Sequence, residues 1–230
     1  MNKTTAVAFL LLASNIISAN DVSPELGKIE SQWATIYYAQ NNSEQKKNYS
    51  ALLKDTTCLL NQHPESAEVM IWQAIIISTH AAFENPFSAL DSINKAKRIL
   101  ETAIHKNPNA LDGAAFVALG TLYYMTPGWP ISFGDQNKAE KLLRTALKIN
   151  PNGIDPNYFY ADYLLSINKV EQASKYFKLA LKSPSRPDQA YADQQLKDEA
   201  LLALQNTQQR KADSDKNKFW SLFSSARADY

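Results

Sequence analysis

Four times along the chain a helix-like stretch runs into a proline, and the approaches are alike: LLNQHP at 59–64, AIHKNPN at 103–109, ALKINPN at 146–152 and ALKSP at 180–184. Proline lacks a backbone N–H and its ring clashes with the preceding turn, so each one marks a place where a helix must stop. The stops at Pro64, Pro108, Pro151 and Pro184 lie 44, 43 and 33 residues apart. Self-similarity at such a period points to stacked repeating units. Ahead of three of the stops a common pattern appears: Ala96, Leu100, Ala103; Ala139, Leu143, Ala146; and Ala173, Phe177, Ala180. Positions three and four apart share one face of a helix, so the alanines admit a neighbouring helix closely and the larger residue fills the space between them.

Each of these helices is preceded by another. Phe116, Leu119, Gly120 and Tyr123 form the clearest case, with Asn157, Tyr160, Ala161 and Leu164 next and Met70, Ala74 and Ile77 weaker. A large residue, Leu-Gly and Tyr, then a small-large-small helix and a closing proline, resembles the tetratricopeptide repeat (TPR), a helix-turn-helix unit of about 34 residues. The resemblance implies an all-α fold, a short α-solenoid of such units. The 33-residue interval fits one unit, and the longer intervals imply loops inserted between the two helices of a repeat, one of them within Met125 to Gln136. Over about Asp112 to Asp193, the runs LGTLYY, PGWPISFGD and NPNGIDPNYFYADYLL are further similar to bacterial envelope repeat proteins that include the T component of TRAP transporters. That likeness implies a secreted or lipid-anchored protein that assists small-molecule uptake or envelope assembly. The chain departs from the lipoprotein members in lacking an anchoring cysteine.

The organisation expected is a signal peptide at 1–19, a degenerate N-terminal helical pair at 20–64, a TPR-like array with a C-terminal capping helix at 65–205, and a flexible tail at 206–230. Lys3 precedes an apolar stretch from Ala6 to Ala13, and the small Ala19 suits cleavage after it, so the mature chain is expected to be periplasmic or secreted. That stretch is shorter than the roughly 20 residues a helix needs to cross a bilayer, so no transmembrane segment is expected. The tail runs through NTQQRKADSDKNK to an aromatic cluster at Phe219, Trp220, Leu222 and Phe223, for which docking on a partner or on the chain's own repeats is favoured over contact with a membrane surface because little charge excess flanks it. Polar residues at 193, 197, 198 and 199 make the last helix of the array a polar-faced cap.

Composition mainly excludes. The balance of 24 basic and 23 acidic residues creates no field that would draw nucleic acid. Cys58 is the only cysteine, so no intrachain disulfide exists, and its place among Leu52, Leu53, Leu59 and Leu60 predicts a buried thiol. His63, His80 and His105 have no metal-binding spacing and no phosphate-cradling glycine motif occurs, so neither metal nor cofactor is expected. His80 and Glu84, four apart, form at most a minimal general-base pair without a recognisable nucleophile, and the chain is read as a non-enzyme. His63 stands where Asn107 and Asn150 precede their prolines and reads as a helix cap. Asp155, before Pro156, is expected to cap the helix that follows.

Binding residues follow from the helix register that the resemblance implies. Ile71, Ile75, Val117, Thr121, Tyr124, Tyr158 and Asp162 are expected on the concave face, a mainly apolar and aromatic groove. The inserted loop adds Trp129 and Phe133, as a contact site or as a plug between helices. Such a groove suits an extended peptide or an amphipathic helix of an envelope protein, or else a small apolar ligand of an uptake system. A terminal helix can also fill it. The partner, the ligand and the oligomeric state stay open.

Overall fold

The structure, a computed structural model, describes residues 22–207. The expected signal peptide and the aromatic cluster of the tail lie outside the described residues. Those described form nine α-helices: α1 (Ser23–Ala39), α2 (Asn42–Gln62), α3 (Ala67–His80), α4 (Pro86–Lys106), α5 (Ala114–Met125), α6 (Gln136–Ile149), α7 (Ile154–Ser166), α8 (Val170–Lys182) and α9 (Ala190–Thr207). No strand occurs among them, only an isolated bridge between Gly128 and Gly134. None of the described helices is long and apolar enough to cross a membrane.

Local chemistry explains the boundaries. Asn41, Ser66, Asn85 and Asp135 each accept a bond from a backbone N–H of the helix they precede, at 2.9–3.3 Å. A cap of this kind is worth about 1 kcal/mol. His63, Asn107 and Asn150 are the residues that close α2, α4 and α6; each donates its backbone N–H to the carbonyl four residues back, and a proline follows. Asp155 does not cap α7. Gly153 holds the capping position without a side-chain bond, and the Asp155 carboxylate reaches Arg186 at 2.7 Å instead. An acidic group in the first helical turn still complements the helix dipole, but a guanidinium within reach is the stronger partner.

Even- and odd-numbered helices bury themselves differently. Ala139, Leu143 and Ala146 are the only buried residues of α6, and Ala173, Phe177 and Ala180 the only ones of α8. Together with Ala96, Leu100 and Ala103 of α4, these nine side chains are no more than 1% exposed. By contrast α3 buries eleven of its fourteen residues and α5 nine of its twelve. A helix that is apolar all round must be covered on more than one side. Gly120 shows how closely α5 meets α6: a Cβ there would lie 2.8 Å from Leu143 Cγ.

Packing explains the difference. Each helix packs on its neighbours in sequence, and the odd-numbered helices also touch one another in order, α1 on α3, α3 on α5, α5 on α7 and α7 on α9. Finally α9 touches α1, which closes the series into a ring. The even helices cover that ring with one amphipathic face each and leave their other faces to solvent.

Three expectations are corrected. Cys58 is exposed; Tyr49, Leu52, Thr56 and Leu59 form the buried stripe of α2, and one residue before Leu59 lies about 100° round the helix. Asp193 is not on a solvated face of the last helix but fully buried. Finally, the long interval from Pro64 to Pro108 goes largely into α4, which has 21 residues against 14 in α6 and 13 in α8, rather than into an inserted loop. Only the α5–α6 connection carries a substantial loop.

Candidate functional site

The ring encloses a cavity of about 340 Å³, within the size range of small-molecule sites. Its wall comes from α1, α3, α5, α7, α9 and the short turns ahead of α5 and α9; no even-numbered helix contributes a residue. Aromatic rings dominate the side nearest α1. Trp33 stacks on Tyr37 with centroids 4.9 Å apart and meets Trp72 of α3 edge-on at 5.6 Å. Tyr38 meets Tyr37 at 4.8 Å and Tyr191 of α9 at 6.2 Å. A continuous run of rings thereby joins α3 to α9 through α1.

Polar bonds hold α1 in that place. The Glu30 carboxylate accepts from Trp72 Nε1 at 2.6 Å and from Gln189 Nε2 at 2.8 Å, a contact spanning 159 residues of sequence. Gln45 donates its amide to the carbonyls of Ile36 and Gln40 and so ties down the end of α1. Burial pushes the Glu30 carboxyl above its ordinary range, against the hydrogen bonds from Trp72 and Gln189 that pull it down. A carboxylate kept here must be bonded from both sides, because an unpaired buried charge is costly.

Arg186 organises the turn ahead of α9. Its Nη1 meets Asp155 at 2.7 Å, and its Nε, Nη2 and backbone N–H converge on the fully buried Asp193. Burial works against its charge, but the two carboxylates outweigh it and hold the guanidinium above its ordinary value. Across the cavity Tyr158 donates its hydroxyl to Glu199 at 3.0 Å. Burial, reinforced by the Glu199 charge, raises Tyr37, Tyr38 and Tyr158, so all three stay protonated and can donate.

No protein-family model and no curated protein matches this chain.

Of the residues expected on the concave face, Ile71, Ile75, Val117, Thr121 and Tyr158 all line the cavity. Tyr124 and Asp162 do not; Tyr124 donates its hydroxyl to Asp162 at 2.6 Å, joining α5 to α7 beside it. The inserted loop divides. Phe133 packs edge-on against Tyr123 at 5.2 Å beneath Lys97, while Trp129, which precedes a cis peptide to Pro130, is 90% exposed and Ile131 68%. One aromatic plugs and the other faces solvent.

Sequence reasoning missed the contribution of α1 and of the turn before α9. Glu30, Trp33, Tyr37, Tyr38 and Arg186 were not singled out, because nothing local says that a helix at the start of the array will lean on its end. The one available signal was Trp33, Tyr37 and Tyr38 together, too aromatic a stripe for a degenerate terminal pair.

His80 and Glu84 do meet, Nδ1 to Oε1 at 3.3 Å, and Ser50 Oγ lies 3.1 Å from His80 Nε2. The order Ser, His, Glu resembles a nucleophile with its base. However, the Lys46 carbonyl, 2.9 Å from Ser50 Oγ, competes with His80 for the single hydroxyl proton. Neither Ser50 nor His80 lines the cavity or the more open depression of about 410 Å³ between α1 and α2. Among the described residues no group of acidic, histidine or cysteine side chains is placed to hold a metal ion.

Proposed function

We propose that the chain is an exported, non-enzymatic binding protein, a TPR-like solenoid whose first helix closes the groove, and that it holds a small molecule with an apolar body in the ring. One observation carries this reading: the 340 Å³ cavity is walled by all five odd-numbered helices, with α1 bonded across the concave face through Glu30. An extended peptide or a partner helix needs a groove open along its length, and α1 already lies along this one. A compact ligand needs only an enclosed, preformed space. The role that follows is that of a ligand-binding accessory in an uptake system, as the likeness to TRAP-type envelope proteins suggests.

Native mass spectrometry of protein isolated from its own cell envelope tests the reading. The expected spectrum shows an adduct of small-molecule mass, which disappears in a Thr121→Trp variant that narrows the cavity and whose helical circular dichroism matches that of the wild type. An adduct retained in full by that variant, or a chain carrying only a polypeptide, would refute it.

A second reading has its own support. Trp129 and Ile131 put exposed apolar surface on the α5–α6 loop, and large rings on an ordered loop make economical contact points. An envelope protein docking there, with the cavity serving separately, would crosslink to a photoreactive group at position 129 and not to one at position 179 on α8.

A further inference from the structure

We propose that the cavity selects an organic cation, an amine or quaternary ammonium group carried on an apolar or aromatic body. The inference rests on the small-molecule reading above and specifies its chemistry. Charged side chains in the wall are Glu30, Asp155, Asp188 and Glu199 against Arg186 alone, with no lysine or histidine. Arg186 and Asp155 offset one another as an ion pair, and Asp193 engages the guanidinium as well, so the negative excess of the wall comes from Glu30, Asp188 and Glu199. The negative groups are distributed around the wall, on α1, on α7, on the turn at Pro187–Gln189 and on α9. Any ligand inside therefore meets carboxylates from several directions, Glu30 buried and Asp188 exposed to solvent.

The rings act in the same sense. Trp33, Tyr37, Tyr38, Trp72, Tyr158 and Tyr191 line the space, and an aromatic face attracts a cation through its quadrupole, more strongly when water is excluded. An anion in the cavity would meet repulsion from the carboxylates of the wall, a neutral occupant no net attraction, and a cation attraction.

The test compares ligands with one body and three heads. The full chain is titrated with phenylpropylamine as its ammonium, phenylpropanol and phenylpropanoate, following the fluorescence of Trp33 and Trp72 and, in parallel, calorimetric heat. The ammonium is expected to bind roughly tenfold more tightly than the alcohol, with the carboxylate weakest. Glu199→Gln is expected to remove most of that advantage while leaving the alcohol unchanged. Asp188→Asn, at an exposed position that cannot disturb packing, is expected to act in the same direction and serves if the first variant melts early. Equal affinity for ammonium and alcohol, or a preference for the carboxylate, overturns the cation inference and leaves the small-molecule cavity standing. Failure of all three to bind a folded chain overturns both.

Discussion

Replacing Arg186 by methionine removes the group that holds the turn before α9 to two other parts of the ring. Asp193 is fully buried, and without Arg186 it keeps only the backbone N–H of residue 186, at 2.6 Å. Breaking a buried ion pair by removing one partner costs about 3–5 kcal/mol, because the remaining charge is left uncompensated. The guanidinium is 41% exposed, so water screens part of its interaction and the lower end, about 3 kcal/mol, is expected. For a chain of this length that corresponds to a melting temperature lowered by about 6–12 °C, measured by calorimetry or by circular dichroism on heating. The double variant Arg186→Met, Asp193→Leu removes both charges and is expected to recover at least half of the loss, since an apolar pair of similar volume is often no worse than a buried salt bridge. Strict additivity of the two single substitutions, or a drop below about 2 °C for Arg186→Met, would show that the pair does not hold the turn ahead of α9 in place.

Glu30→Gln tests the other closure through pH. The folded-state pKa of Glu30 is raised above its ordinary value of 4.5, so the folded protein holds this proton more tightly than the unfolded chain. Its favourable contribution is present below that value and is lost as pH rises through the folded-state pKa. The melting temperature of Glu30→Gln relative to wild type should therefore climb from pH 4 to pH 7, and parallel curves would contradict the burial argument. Leu143→Ala, at a fully buried site against Gly120, should cost about 2–5 kcal/mol in urea denaturation, whereas Trp129→Ser should stay within about 0.5 kcal/mol. If the two cost the same, Trp129 packs inside after all. Cys58 should react with a thiol reagent in the folded state at a rate close to that in denaturant, and strong protection would place it back in the core.

Much of the helix pattern was legible before any coordinates. The stops at Pro64, Pro108, Pro151 and Pro184 and the small-large-small triplets are short-range features, because what ends a helix and which of its faces can meet a neighbour are set within a few residues. The register that the resemblance implies put seven residues on one face; Ile71, Ile75, Val117, Thr121 and Tyr158 line the cavity, while Tyr124 and Asp162 bond to each other beside it. Short-range reasoning erred at Cys58 and Asp193, where the side a residue faces depends on which other element arrives to cover it.

Closure of the ring belongs to the tertiary structure alone. Glu30 meets Gln189 only because α9 returns to α1, and no local propensity encodes a contact across the whole series of helices. The same return brings the aromatic stripe of α1 and the carboxylates of α7 and α9 around one space. By itself the sequence determined a stack of helices with a shared inner face; the geometry of the whole stack decided that this face closes into a cavity, and with what charge.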